Sequence, residues 1–182
     1  MRATFILFFI TFFIFQPAVS AQEMQSTESA RVVNAVEYAL PYPGILPNSP
    51  FYSLKMFRDR VIGSLISDPL KKAEFSLLQA DKRLQAGIFL LHQDPSKGEV
   101  AIATISKGEN YFFDAILIAE EARRKKLAVR DVAIKLSNAA EKHEEVLVGI
   151  SASISDSQQA AYEKELERVR VFQKRVKPLI PR

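Results

Sequence analysis

Cysteine is missing altogether, so disulfides, thiolate-bound metals and cysteine nucleophiles are excluded together. Glycine is scarce, 6 residues against 13 Phe, and no Asn–Gly or Asp–Gly pair occurs, which argues against a hairpin-rich all-β fold. Histidine occurs only at His92 and His143. No Gly-rich phosphate loop is present, and no Ser–His–Asp arrangement can be built on two histidines in these contexts. Beyond the N-terminal segment no stretch is apolar enough to span a bilayer, and no repeat at solenoid periods is visible.

What is present first is an address. Met1–Arg2 precedes an uncharged apolar run, Thr4 to Phe15, and the small residues Ala18, Val19, Ser20 and Ala21 follow. A basic start, an apolar run of about 12 and a small-residue exit are the parts of a secretory signal peptide. Residues 1–21 are therefore expected to be removed after Ala21, with Ser20 the neighbouring alternative and an uncleaved anchor the competing reading. The chain of 182 residues carries a net charge of +4, and loss of Arg2 leaves +3, a basic balance too small to demand a polyanion partner. The expected mature protein is soluble and extracytoplasmic, periplasmic or secreted. Without Cys it must be held by its core, and about 150 residues suffice for one. With 48% apolar and 25% charged residues, the composition suits one ordinary domain.

Residues 22–39 read as a flexible leader, although Val32 to Tyr38 could form a short strand or an extended arm. Residues 40–49 hold Pro41, Pro43 and Pro47, with Pro50 just beyond; each lacks an N–H donor and biases its predecessor away from helix. Leu40, Tyr42, Ile45 and Leu46 punctuate the prolines. The expectation is an ordered strap whose apolar side chains lie in a groove of the body, against the alternative of a polyproline-type ligand for a partner. Gly44 suits a turn with positive φ.

Residues 50–177 carry helical periodicity, and the expected fold is all-α: an antiparallel bundle of four to five helices. The first helix, from Pro50 to Ile66, follows a cap at Asn48 or Ser49 and has a stripe of Phe51, Leu54, Phe57 or Arg58, Val61 or Ile62, and Leu65. Asp68–Pro69 opens the second, with Leu70, Ala73, Leu77, Ala80, Leu84, Ile88 and Leu91 in line. The third, about Pro95 to Lys126, aligns Ala101, Ile105, Gly108, Phe112, Ala115, Ala119 and Ala122. The fourth, about Ala128 to Ile150, aligns Val129, Val132, Leu136, Ala139, His143, Leu147 and Ile150. No Gly or Pro separates it from the third, so the two could be continuous. Ser155 and Gln158 form a capping box for the fifth, which runs through Tyr162, Leu166, Val169 and Phe172 to about Val176. Residues 178–182 are a C-terminal tail.

Chemistry is thin. His143–Glu144–Glu145 begins like a zincin motif, but Leu147 stands where the second histidine belongs. The Glu-x-x-His pattern of di-iron bundles fails as well, with Ala140 and Phe89 at the glutamate positions. Glu141, Glu144 and Glu145 could join His143 in a loose cation site, yet helical spacing puts His143 on the apolar stripe and its acidic neighbours elsewhere. A buried structural histidine is the plainer reading, and His92 suits a helix C-terminus. Two basic clusters stand out, Arg123 to Lys126 and a C-terminal run of Arg168, Arg170, Lys174, Arg175, Lys177 and Arg182. They read as dipole matching and a solvated tail, or as attachment to an anionic envelope component. The aromatic interleaving of a single-strand nucleic-acid binder is missing.

The stretches Leu40 to Asp59 and Ser67 to Arg83 resemble an uncharacterised family of bacterial secreted helical domains. The mark is LPYPG-x-LP-x-SP-x-Y-x-LK-x-x-RD, then DP-x-KKAE and ADKRL. Here it stands at Leu40 to Gly44, Leu46–Pro47, Ser49–Pro50, Tyr52, Leu54–Lys55, Arg58–Asp59, Asp68–Pro69, Lys71 to Glu74 and Ala80 to Leu84. The resemblance implies an exported helical domain and carries no activity, cofactor or catalytic residue. The alternating charges Arg58, Asp59, Lys72, Glu74, Asp81 and Arg83 either converge on a pocket or pair with one another; their signs favour pairing. The resulting expectation is a non-enzymatic exported bundle without cofactor, serving as an interaction or structural module for an unknown protein or anionic envelope component. A ligand- or metal-binding sensor bundle built on His143 is the alternative.

Overall fold

The structure, a computed structural model, describes residues 37–180. The expected signal peptide (1–21) and all but the last residues of the expected leader (22–39) lie outside the described residues. Five α-helices, packed antiparallel, make up the body: α1 (Tyr52–Leu65), α2 (Pro69–Gln93), α3 (Gly98–Arg124), α4 (Arg130–Gly149) and α5 (Asp156–Val176). Among the described residues there is no strand, and no helix is long and apolar enough to cross a membrane.

The starts follow local chemistry. The Asp68 side chain accepts from the backbone N–H of Leu70 and Lys71 while Pro69 opens α2. Asp94 caps a 3-10 turn, Pro95–Lys97, that leads into α3. Ser155 and Gln158 make the capping box of α5. The third and fourth helices are separate. Leu127 N–H donates to Ala122 O and Lys126 N–H to Arg123 O, with Lys126 at φ 62°. This is a Schellman stop, hidden from sequence reading because Lys occupies the left-handed position that Gly usually marks.

The stripes of α2 to α5 face inward as their periodicity requires. Ala80, Leu84, Ala101, Ile105, Phe112, Ala119, Leu136, Ala139, Leu147 and Val169 are fully enclosed. The tightest pair is α2 and α3, and glycine is the reason. A Cβ at Gly87 would lie 2.5 Å from the Ile105 side chain and 2.9 Å from Ala101 O; one at Gly108 would lie 3.1 Å from Ala80 O. The last described residues are tied to the body: Leu179 is buried in the core, and Arg123 Nη1 donates to Pro178 O at 2.6 Å.

Two expectations are corrected. The first concerns the strap. Pro43 is enclosed and Tyr38 and Leu40 pack on the core, but Tyr42 is 75% exposed and Ile45 is exposed. Gly44 takes φ +71° and turns the chain so that Lys55 Nζ donates to Pro43 O (2.7 Å) and Ile45 O (3.1 Å). Main-chain carbonyls and the residues around Pro43 hold most of the strap, to which the exposed Tyr42 adds an edge-on contact with the Phe89 ring at 6.2 Å.

The second concerns α1, whose stripe faces the wrong way for a core helix. Phe51, Leu54 and Phe57 are 65–66% exposed and Leu65 75%, with Val61 and Ile62 also exposed. Against the body α1 turns Tyr52, Lys55, Met56, Asp59 and Gly63. Lys55 is committed to the strap, Met56 Sδ receives Arg83 Nη2 at 3.0 Å, and Gly63 sits where a Cβ would meet the Phe75 ring at 3.1 Å. Polar anchoring and one close approach thus set the rotation of α1 and leave its apolar face to solvent.

Candidate functional site

The polar centre of the bundle is His143. Nε2 lies 3.0 Å from Asp81 Oδ1 of α2 and Nδ1 lies 3.0 Å from Glu109 Oε1 of α3. Tyr38, at the end of the leader, donates its hydroxyl to Asp81 Oδ2 at 2.7 Å, and Phe112 meets the imidazole edge-on at 4.9 Å. Asp81 is 3% exposed; Glu109 and His143 are wholly enclosed. Burial alone would push the imidazolium proton off. The Glu109 charge and the hydrogen bonds to Asp81 and Glu109 outweigh it, raising the pKa to about 9. A carboxylate oxygen at 3.0 Å from each ring nitrogen favours the doubly protonated imidazolium. Burial, then the neighbouring Asp81 charge, raises the Tyr38 phenol, which stays a donor.

Asp81, Glu109 and His143 thus form a buried ion cluster. Both ring nitrogens are engaged by carboxylates, and among the described residues no group of three or more His, Asp and Glu is set to hold a metal ion. The acids beside it in sequence go elsewhere: Glu144 pairs with Arg170 and Gln173, Glu145 with Lys142, and Glu141 is exposed. The loose cation site of His143, Glu141, Glu144 and Glu145 is not assembled. His92 is exposed in the last turn of α2.

The charged residues of the 58–83 motif do not converge either. Arg58 binds Asp59 at 2.7 Å, Glu74 binds Lys135 of α4, and Asp81 enters the His143 cluster. Arg83, 4% exposed, donates to Gln79 O and Oε1 at 3.2 Å and lies 4.1 Å over the Tyr111 ring. Among the described residues no carboxylate reaches ion-pair distance of it. Only Arg58 and Asp59 pair within the motif; the other partners come from the topology. A cavity of about 250 Å³ between α1, α2 and α3 is bordered by Asp59, Arg60, Lys72, Phe75 and Tyr111.

The basic clusters are largely neutralised. Arg124 and Lys125 pair with Glu121, Arg168 with Glu165, Arg170 with Glu144 and Arg175 with Glu120. Glu120 and Glu144 are held below the usual carboxylate range, chiefly by hydrogen bonds from Arg175 and Arg170. Lys174 and Lys177 are exposed, and Arg182 lies outside the described residues.

What remains as a candidate surface is the outward face of α1. Its exposed charges are Arg58 and Arg60, and its single acid, Asp59, is buried. Comparison with protein-family models, curated proteins and solved structures finds no match to this chain.

Proposed function

We propose that this protein is a non-enzymatic, exported interaction module that attaches to a component of the cell envelope through the outward face of α1. The observation that carries the reading is the inversion of α1. A helix whose apolar stripe faces water while its polar side faces the body holds a sizeable exposed patch, and such patches mark binding sites. Export rests on the pattern of residues 1–21, and the resemblance of the 40–59 and 67–83 motifs to an exported bacterial family agrees with it.

The test is fractionation of cells producing the chain and its Leu54→Ser/Phe57→Ser variant. Both side chains are about two-thirds exposed, so the variant should melt within about 2 °C of the parent while leaving the envelope fraction. An identical distribution of the two proteins would overturn the reading.

A further inference from the structure

The geometry points to a specific occupant for this face: α1 lies in the interface of an anionic lipid bilayer, an inference that rests on the reading above. Three observations favour it. The exposed side of α1 combines Phe51, Leu54, Phe57, Val61 and Leu65 with two arginines and no exposed carboxylate, the composition of an interfacial helix on negatively charged headgroups. The face also lies apart from the cavity beside the helix: α1 meets the bundle mainly through α2, and that cavity is bordered by Asp59, Arg60, Gly63 and Ser64 of α1 but by none of Leu54, Phe57, Val61 and Leu65. Finally, the apolar run Thr4 to Phe15 is a segment that brings the chain to a membrane, whether or not it is later removed.

A second copy fits less well. The 14 residues of α1 make a helix about 21 Å long and about 10 Å wide. One face of it offers far less than the roughly 800 Å² per partner of a stable interface. A two-fold axis would also set Arg58 and Arg60 against their own copies. On a bilayer the same arginines lie among phosphates while the phenylalanines enter the acyl boundary.

The chain has no tryptophan, so Phe57→Trp supplies a single fluorescent reporter at an exposed position. Val148→Trp, on the 49% exposed Val148 of α4, controls for tethering of the whole chain through residues 4–15. The full-length variants are titrated with vesicles rich in phosphatidylglycerol and with vesicles of phosphatidylcholine alone. The expected result is a blue shift of the Phe57→Trp emission, with quenching by acyl-brominated lipid, and none for Val148→Trp. At low salt the anionic vesicles should be preferred on the order of tenfold, and Arg60→Gln should weaken that preference. No shift on either vesicle, or equal quenching at both positions, would overturn the inference. So would an emission already blue-shifted in buffer, which would place a second copy or the chain's own N-terminal run on α1. If envelope attachment depends on Leu54 and Phe57 but lipid alone gives no shift, the interaction-module reading stands and the lipid assignment falls.

Discussion

At the scale of single residues, His143 shows how a buried charge is tolerated. An imidazolium in an apolar core would lose its proton, since desolvation penalises the charged form. Two carboxylates at 3.0 Å reverse that outcome, and each helix that contributes one is held to the other two. Breaking such a cluster from one side leaves uncompensated charge, whereas replacing it whole need not cost stability. His143→Ala should therefore lose about 3–5 kcal/mol in a urea melt. The triple replacement of Asp81, Glu109 and His143 by Leu should recover most of the loss. A cost below about 1 kcal/mol for His143→Ala would show that the cluster does not hold α4 in place. Sequence reading reached the burial of His143 from its place in the α4 stripe. It missed both partners, because Asp81 and Glu109 lie 62 and 34 residues away; the one local signal was their spacing, each four residues after one stripe residue (Leu77, Ile105) and three before another (Leu84, Phe112).

At the scale of elements, the informative cases are α1 and the end of α3. The stop after Arg124 is carried by Lys126 in the left-handed region at φ 62°, where a Cβ crowds the following carbonyl. Lys126→Gly should relieve this and raise stability by up to about 1 kcal/mol, read as an upward shift of the thermal midpoint. A fall in midpoint would mean that the lysine side chain does more there than fill a turn. In α1, helical spacing correctly grouped Phe51, Leu54, Val61 and Leu65 on one face. Spacing assigns residues to a common face without saying which way it points. For α2 to α5 the apolar face goes inward because burying it is the dominant gain. For α1 the bonds of Lys55 to the strap, the contact of Arg83 with Met56 and the close approach at Gly63 select the opposite rotation.

At the scale of the whole molecule, stability should follow pH through the buried cluster. The His143 pKa is raised from about 6.5 to about 9 on folding, so its contribution is fully present below pH 6.5 and is lost as pH rises through about 9. The groups facing it are Asp81 from α2 and Glu109 from α3, with Tyr38, just ahead of the strap, bonded to Asp81. The Tyr38 pKa is also raised from about 10, which adds to the loss at still higher pH. Calorimetric midpoints of the wild-type protein should fall by several degrees between pH 6.5 and pH 9, and those of the triple Leu variant should fall much less. A flat wild-type profile would remove the charge from His143. The more exposed pair on α5, Arg170 with Glu167, adds little to this dependence, since exposed ion pairs contribute roughly 0–1 kcal/mol each.

The division between sequence and structure follows from the range over which each acts. Helix starts at Asp68–Pro69 and Ser155–Gln158, the turn at Gly44 and the inward stripes of four helices were legible because caps, prolines and periodicity work within a few residues. The expectation of an N-terminal address, Thr4 to Phe15 with its small-residue exit, likewise rests on sequence alone. Tertiary structure alone decided that Asp81 and Glu109 close on His143, that Pro43 more than Tyr42 anchors the strap, and that α1 turns its phenylalanines to solvent. Each of these depends on which distant side chain arrives opposite, and on the sum of contacts that outweighs one helix's own hydrophobic preference.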